Sequence, residues 1–240
     1  MHFQHSADIW RDFPALVPGV LYAEGVSANA EAVTGHAEVR ADKFAAIAKA
    51  RLAAGPETEL PEIQAWRRAF ARMGLKPTQY RCAAESLLRR FRKEGSLPRL
   101  HPLVDLCNAV SLAFAIPVAV FDAKAVAWPL EVRYAAGDED YLTFGGEVEH
   151  PAPREVIFAD QAGQAHARRW TNRQSGRSAV SPATNSVLVV AEALHEGAAT
   201  TIPELIKTLT TEVSTTWTLE PTTPQTAILT PAGPRFTFGA

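Results

Sequence analysis

The feature that most constrains the fold is a change of pattern near Pro117. Before this proline, apolar residues recur at the 3.6-residue spacing of helices; after it, they occur in short β-rich runs separated by Gly, Asp and Pro. Helices followed by strands, without βαβ alternation, favour an α+β fold. We therefore expect N-terminal helices packed on a mostly antiparallel, meandering sheet.

Helices are predicted at 61–73, at 83–94 and from Pro102 onward, because each region begins or ends with Pro or Gly at a helix boundary. The third is apolar on most of its circumference, so we expect it to be central. An earlier helix is predicted at 39–54 and a strand at 16–26.

The second half is predicted to contain six strands and one closing helix, at 202–213. The predicted strands are 118–121, 130–134, 141–144, 156–159, 165–170 and 187–190. From Ser214 the chain is rich in Thr and Pro, which indicates an irregular or extended arm. We expect residues 1–60 to elaborate an α+β domain at 61–213, followed by an arm at 214–240.

Charge is segregated along the chain although the formal net charge is only −2. Residues 61–100 hold ten basic and three acidic residues. This block is typical of a surface that contacts a polyanion, and equally of helical faces with lateral ion pairs. The candidate RNA-binding residues in and beyond it are Arg81, Arg89, Arg90, Arg169 and Arg177.

Several classes of protein are disfavoured. Cys82 and Cys107 lack paired spacing, and the seven His are scattered, so we expect no disulfide, metal site or cofactor. No glycine-rich phosphate loop and no nucleophile elbow are present. The N-terminus lacks the apolar run of a signal peptide, and the longest apolar run, at 109–121, is too short to span a membrane. These features favour a cytoplasmic protein without membrane contact.

Two segments are candidates for a binding site. Asp105, Asn108 and Ser111 form a polar stripe on the apolar third helix, suited either to a hydrogen-bond network or to a ligand. The other segment, 168–177, reads RRWTNRQSGR, which suits phosphate contacts and base stacking, or ion pairs with the acidic stretch 138–149. The candidate substrate-binding residues are Asp105, Asn108, Trp170, Asn172, Arg173, Gln174 and Glu192.

Several motifs together resemble a known family. They are LVDLCNAVSL at 103–112, IPVAVFD at 116–122, LEVR at 130–133, GDE at 137–139, LTFGG at 142–146, VIFAD at 156–160, and TN at 184–185 before an apolar strand. In this order they resemble the B3/B4 editing domain of the β-subunit of bacterial phenylalanyl-tRNA synthetase. The WTNRQ segment at 170–174 is similar to free-standing members of that family.

The resemblance implies an α+β fold whose pocket, in the synthetase, hydrolyses tyrosine wrongly esterified to the tRNA for phenylalanine. This chain departs from the pattern at three points, one of which is that residues 169–176 replace a Gly-rich run before the apolar strand. Ala119 stands where the synthetase has a His, and the acid that recognises tyrosine falls near Val189, with Glu192 as the nearest acid.

We therefore expect a protein that binds tRNA, aminoacyl-tRNA or an aminoacyl-adenosine, with hydrolysis of mischarged aminoacyl-tRNA in trans as its associated activity. No aminoacylation domain fits, so a ligase is not expected, and no residue is assigned as catalytic. The alternative is a non-catalytic module that binds a free amino acid or a related small metabolite.

Overall fold

The structure is a computed structural model and describes residues 1–27 and 31–239. Its helices are α1 (Ala7–Asp12), α2 (Glu31–Ala54), α3 (Pro61–Arg72), α4 (Ala83–Glu94), α5 (Pro102–Phe114) and α6 (Ala198–Thr216). Its strands are β1 (His2–His5), β2 (Val17–Glu24), β3 (Val118–Asp122), β4 (Leu130–Tyr134), β5 (Tyr141–Leu142), β6 (Val148–Glu149), β7 (Val156–Asp160), β8 (Ala165–Arg168), β9 (Arg173–Gln174), β10 (Ser186–Ala193), β11 (Gln225–Ile228) and β12 (Arg235–Thr237).

The strands form two main sheets and one hairpin. The first sheet has the order β12-β1-β4-β7-β8-β9, and the second has the order β11-β2-β10-β3. Strands β1 and β4 are parallel, whereas the remaining named pairs are antiparallel. The predicted α+β class with a mostly antiparallel sheet is confirmed.

Strand β10 lies between two hydrophobic cores, and all eight of its residues are buried. Leu188 and Val190 face a core shared with the first sheet, α3 and α4. Val187 and Val189 belong instead to the core formed with α2, α5 and α6. Because successive side chains of a strand point to opposite faces, a strand buried on both faces is apolar throughout.

The predicted helices are confirmed at α3, α4 and α5, and their ends have local causes. Helix α3 begins at Pro61, and α4 ends at Gly95, whose φ of 77° is accessible to glycine at little cost. Helix α2 begins earlier than expected, at Glu31. Among the helices described, none is both long and apolar enough to cross a membrane.

The C-terminal arm is expected from its sequence to be irregular or extended, and much of it forms regular elements. Helix α6 continues to Thr216, β11 pairs with β2, and β12 pairs with β1. Five threonines of α6 donate their hydroxyls to the carbonyl four residues earlier, so these hydroxyls are satisfied within the helix. No local sequence pattern indicates the edge strands β11 and β12, because their hydrogen-bond partners lie about 200 residues away in the chain.

Helix α6 approaches β2 closely at Gly19, and we expect Gly19→Ala to lower the free energy of unfolding by about 1–3 kcal/mol. A Cβ there would lie 2.5 Å from Ile206 Cγ1 and 2.6 Å from Ile202 Cγ2. Gly35→Ala is the matched control, because a Cβ at Gly35 meets nothing within 4 Å; inside α2 it should stabilise by up to about 1 kcal/mol. Urea titration of both variants measures their free energies of unfolding. Equal values for Gly19→Ala and Gly35→Ala would contradict the expected close packing at Gly19.

Candidate functional site

A narrow cleft lies between the first sheet, the start of β3 and the end of β10. It encloses about 60 Å³. The lining residues include five that the sequence singled out for substrate binding: Trp170, Asn172, Arg173, Gln174 and Glu192. The walls opposite them are largely apolar, with Val118, Ala119, Phe158 and Ala167.

Trp170 closes one side of the cleft because the chain turns sharply after β8. The predicted strand 165–170 ends at Arg168, and Arg169 and Trp170 both have positive φ, 46° and 57°. Two consecutive left-handed non-glycine residues cost of order 1–2 kcal/mol each. The indole that this turn directs inward is fully buried, and it packs edge-on against Phe13 and Trp66 with centroids 4.7 and 5.0 Å away.

Glu192 lies at the base of the cleft and is 2% exposed. The Trp170 indole nitrogen donates to both carboxylate oxygens at 3.0 Å. The Nε2 atom of His5 lies 2.7 Å from Oε1, and the Trp66 indole donates to the Glu192 carbonyl oxygen at 3.3 Å. These contacts immobilise the carboxylate. The sequence did not indicate His5, because it lies 187 residues from Glu192.

Positions 119 and 189, where the chain departs from the synthetase pattern, have different surroundings in the structure. Ala119 lines the cleft. Val189 is buried in the core of α2, α5 and α6, so a side chain at that position faces away from the cleft. Glu192 is the acid that reaches the cleft.

Residues 169–177, which include β9, are called the cleft loop. Asn172 and Gln174 use their amide nitrogens to hold this loop in place. Asn172 donates to the Arg81 carbonyl oxygen at 2.7 Å, and Gln174 donates to the Val120 carbonyl oxygen at 2.6 Å. Arg173 extends from the same loop with an exposed guanidinium. The cleft loop is therefore bonded to the residues just before α4 and to β3, and Arg173 lies at the rim of the cleft.

From its sequence, segment 168–177 is interpreted either as a phosphate-binding segment or as one that forms ion pairs. Arg168 forms ion pairs. Its buried guanidinium donates to both oxygens of Glu155, at 2.9 and 3.0 Å, and also pairs with Glu149. These bonds raise the pKa of Arg168. Burial alone would raise the pKa of Glu155, but the hydrogen bonds and positive charges of Arg168 and Arg169 together outweigh burial and lower that pKa.

Much of the basic block at 61–100 is also engaged in ion pairs. Arg89 pairs with the buried Glu57 at 3.0 Å, and Arg81 lies 3.5 Å from the buried Glu85. Arg90 forms an exposed pair with Glu94 at 2.9 Å. Among the candidate RNA-binding residues, Arg81 and Arg89 are thus held by buried carboxylates.

Arg169 and Arg177 differ from those two arginines. The Arg169 guanidinium lies over the Tyr80 ring, 4.7 Å from its centroid. Arg177 is exposed, on the loop that follows the cleft residues. Both are therefore better placed for a phosphate contact than Arg81 or Arg89.

Asp105 and Asn108 do not share the Trp170–Glu192 cleft, which corrects the expectation of one pocket. They line a separate cavity of about 500 Å³ between α2, α5 and the α4–α5 connection. Asp105 accepts from the Leu100 backbone nitrogen at 3.0 Å, and the Ser111 hydroxyl donates to the Ile116 carbonyl at 2.6 Å. The polar stripe faces away from the sheet because the apolar face of α5 packs in the core with β10.

A buried Asp-His-Ser chain lies behind the cleft loop. His166 Nε2 is 3.0 Å from Asp160 Oδ2, and its Nδ1 is 2.8 Å from Ser178 Oγ. All three residues are buried, and none lines the cleft. This geometry therefore stabilises the loop and does not present a nucleophile to a substrate.

The fold and the cleft together define a small α+β domain whose cleft has apolar walls and an immobilised carboxylate at its base. A family profile described as the B3/4 domain matches residues 65–216. The chain belongs to the B3/4 domain family.

The chain is also similar over part of its length to individual proteins. Over 64 residues the chain is 34% identical to the phenylalanine–tRNA ligase beta subunit of Mannheimia succiniciproducens and 33% identical to that of Haemophilus influenzae. Each match covers 27% of this chain but only 8% of the relative. A solved N-terminal fragment of the phenylalanyl-tRNA synthetase beta-subunit from Pyrococcus horikoshii aligns at 9% identity and a TM-score of 0.46, over 93% of this chain and 49% of the fragment.

We expect Asp160→Asn to lower the free energy of unfolding by about 3 kcal/mol at neutral pH, because it breaks a buried pair. Burial would raise the pKa of Asp160, but bonds from His166 and from the backbone nitrogens of Gln164 and Ala127 outweigh it and lower that pKa. A carboxyl whose pKa is lower in the folded state stabilises above its unfolded pKa, about 3.9, and this contribution is lost as the pH falls through the folded value.

The difference between wild type and Asp160→Asn should therefore shrink below pH of about 4. Denaturation at several pH values measures it. Asp138→Asn is the control, since Asp138 is exposed and should change stability by less than about 0.5 kcal/mol. A difference that stays constant down to low pH would contradict the role given to the Asp160 charge.

Proposed function

We propose that this protein binds the aminoacylated 3′ end of a tRNA, with the aminoacyl group in the Trp170–Glu192 cleft, and hydrolyses the ester in trans. The observation that carries the proposal is the buried carboxylate of Glu192 at the base of a cleft in a B3/4 domain. Membership of this family, with relatives that are tRNA ligase subunits, supports tRNA as the partner.

Hydrolysis in this cleft would proceed by direct attack of water. The water oxygen forms a bond to the ester carbonyl carbon, the bond from that carbon to the ribose oxygen breaks, and the ribose oxygen leaves with a proton. Glu192 is the proton acceptor that the lining residues offer, and its bond from the Trp170 indole fixes the carboxylate in place. Such a step needs no nucleophilic side chain.

The size of the cleft limits the acyl group. An apolar cavity that admits benzene measures about 150 Å³, whereas this cleft encloses about 60 Å³. A methyl or hydroxymethyl side chain fits that space and a phenol ring does not. We therefore expect small aminoacyl groups, such as alanyl, glycyl or seryl, rather than tyrosyl.

Purified protein should release small amino acids from mischarged tRNA faster than the uncatalysed background, and should spare tyrosyl-tRNA. The measurement is deacylation of a panel of labelled aminoacyl-tRNAs that differ in the size of the amino acid. Glu192→Gln should lower the rate by roughly 100-fold or more, as expected for loss of a general base. Background release from every member of the panel would refute the hydrolytic part.

Ala119→Leu is a steric variant for the same assay, because Ala119 lines the cleft and is half-buried. The longer side chain should fill the cleft and abolish release of the small amino acids. The matched control is Ala179→Leu, outside the cleft, which should leave the rates unchanged. Activity that survives Ala119→Leu would place the acyl group elsewhere.

Two observations favour a non-catalytic alternative, the binding of a free amino acid or related small metabolite. Ala119 supplies no acid or base, and both oxygens of Glu192 already accept from Trp170. A ligand that binds only the native state raises its melting temperature. If small amino acids raise Tm without tRNA while the deacylation panel stays at background, this alternative is supported.

Binding of tRNA should weaken as the salt concentration rises, because the exposed Arg173 and Arg177 would each neutralise a phosphate. Each neutralised phosphate contributes a slope of roughly 0.7–0.9 in log affinity against log salt. Arg177→Gln should reduce the slope by about one such unit, whereas Arg168→Gln should mainly destabilise the fold. Filter binding or fluorescence anisotropy from low to high salt measures this, and a flat response would rule out phosphate contacts.

A further inference from the structure

An exposed aromatic residue stands beside the cleft, and the proposed function does not use it. Phe144, at the tip of the β5–β6 hairpin, is 74% exposed, more than any other large apolar side chain identified as exposed in the described residues. Val148, on the other strand of the hairpin, is 55% exposed. A phenylalanine this exposed buries little apolar surface in the fold, so stability does not account for it.

The hairpin is held firmly against the cleft loop. The Leu142 carbonyl oxygen accepts from Ser175 Oγ at 2.8 Å and from the Gly176 nitrogen at 2.9 Å. The Tyr141 hydroxyl donates to the Gln174 carbonyl oxygen at 2.8 Å. Phe144 is therefore carried on a rigid support rather than on a free loop.

Gly176 permits this close approach. A Cβ at Gly176 would lie 3.1 Å from the Thr143 carbonyl oxygen and 3.5 Å from the Phe144 Cα. Because Gly176 has no side chain, the hairpin tip packs directly against the cleft loop and has a fixed position relative to the cleft.

A groove of about 410 Å³ runs between the hairpin and the cleft loop. Arg173 and Gln174 line both this groove and the cleft, so the two are adjacent. The groove also contains Glu147 and Glu149. Glu149 is engaged by Arg168 and lies 3.6 Å from Arg173, so the groove holds charges of both signs.

The mixed charges and the aromatic ring that line the groove suit a nucleobase better than a phosphate. A base offers a π face for an aromatic ring and donors and acceptors for amide and carboxylate groups, whereas a bare phosphate would be repelled by the two glutamates. The guanidinium of Arg173 lies over the Tyr141 ring at 5.7 Å and is 45% exposed, so it remains available for a phosphate at the junction with the cleft.

We propose that the groove binds a nucleobase of the unpaired 3′ end of tRNA, stacked on Phe144, while Arg173 contacts the adjoining phosphate. The inference rests on the proposed function and adds a second binding site to it. The hairpin then acts as a stacking platform that sets which nucleotide reaches the cleft, and its rigid attachment lowers the entropic cost of binding.

The test is binding of a short single-stranded RNA that ends in CCA and carries 2-aminopurine in place of the terminal adenine, whose fluorescence reports stacking. Phe144→Ala should weaken binding by roughly 5- to 100-fold and restore the fluorescence, since stacking on one aromatic ring contributes that much. Phe144→Trp should retain both the affinity and the quenching. Val148→Ala is the matched control, exposed on the same hairpin, and should change affinity by less than about 2-fold.

The outcomes separate this inference from the proposed function. If wild type binds the RNA and Phe144→Ala binds equally well, the stacking site is refuted while the proposed function stands. If Phe144→Leu matches wild type in affinity and quenching, a nonspecific apolar contact replaces stacking and the inference is also refuted. If wild type binds neither the RNA nor tRNA, the proposed function itself fails.

Discussion

The contact on which the cleft depends is the bond from the Trp170 indole to the Glu192 carboxylate. A carboxylate that is 2% exposed must be hydrogen-bonded, because an unpaired buried charge costs several kcal/mol. Trp170 and His5 supply those bonds, and Trp66 bonds to the carbonyl of the same residue. Strand β1, helix α3, the loop after β8 and strand β10 thus meet at one side chain. The same bonds offset the backbone cost of the left-handed turn at Arg169 and Trp170.

The charged groups divide into those that hold the fold together and those that face solvent. Buried acids, Glu57, Glu85 and Glu155, each accept ion pairs from arginines that the sequence presents as a basic patch. Burial raises the pKa of Glu85 even though the charges of Arg67, Arg81 and Arg89 act to lower it. Among the exposed arginines, Arg173 lines the cleft and Arg177 lies three residues beyond the cleft residue Gln174. Both are therefore near the site proposed for the end of the tRNA.

Sequence patterns predicted the helices α3, α4 and α5 and most strands after Pro117, because local signals such as terminal Pro and Gly define them. They missed β1 and left the chain after Ser214 as irregular or extended, because β1, β11 and β12 are stabilised by pairing with remote strands. At the candidate site, clustering of aromatic, amide and basic residues singled out the segment from Trp170 to Gln174, which lines the cleft. Asp105 and Asn108 line a separate cavity, because helical spacing defines a face of α5 but not what that face packs against.

By itself, the sequence determined the fold class, the order of helices and strands, and the resemblance to the B3/B4 domain, since these follow from local periodicity and from motifs in a fixed order. Only the tertiary structure decided that Glu192 rather than position 189 reaches the cleft, that His5 joins it, and that the cleft encloses about 60 Å³. On a strand buried on both faces, every residue is apolar or internally bonded. The sequence pattern of β10 therefore carries no sign of which side chains face a ligand, and that choice depends on how the two sheets and the helices pack around it.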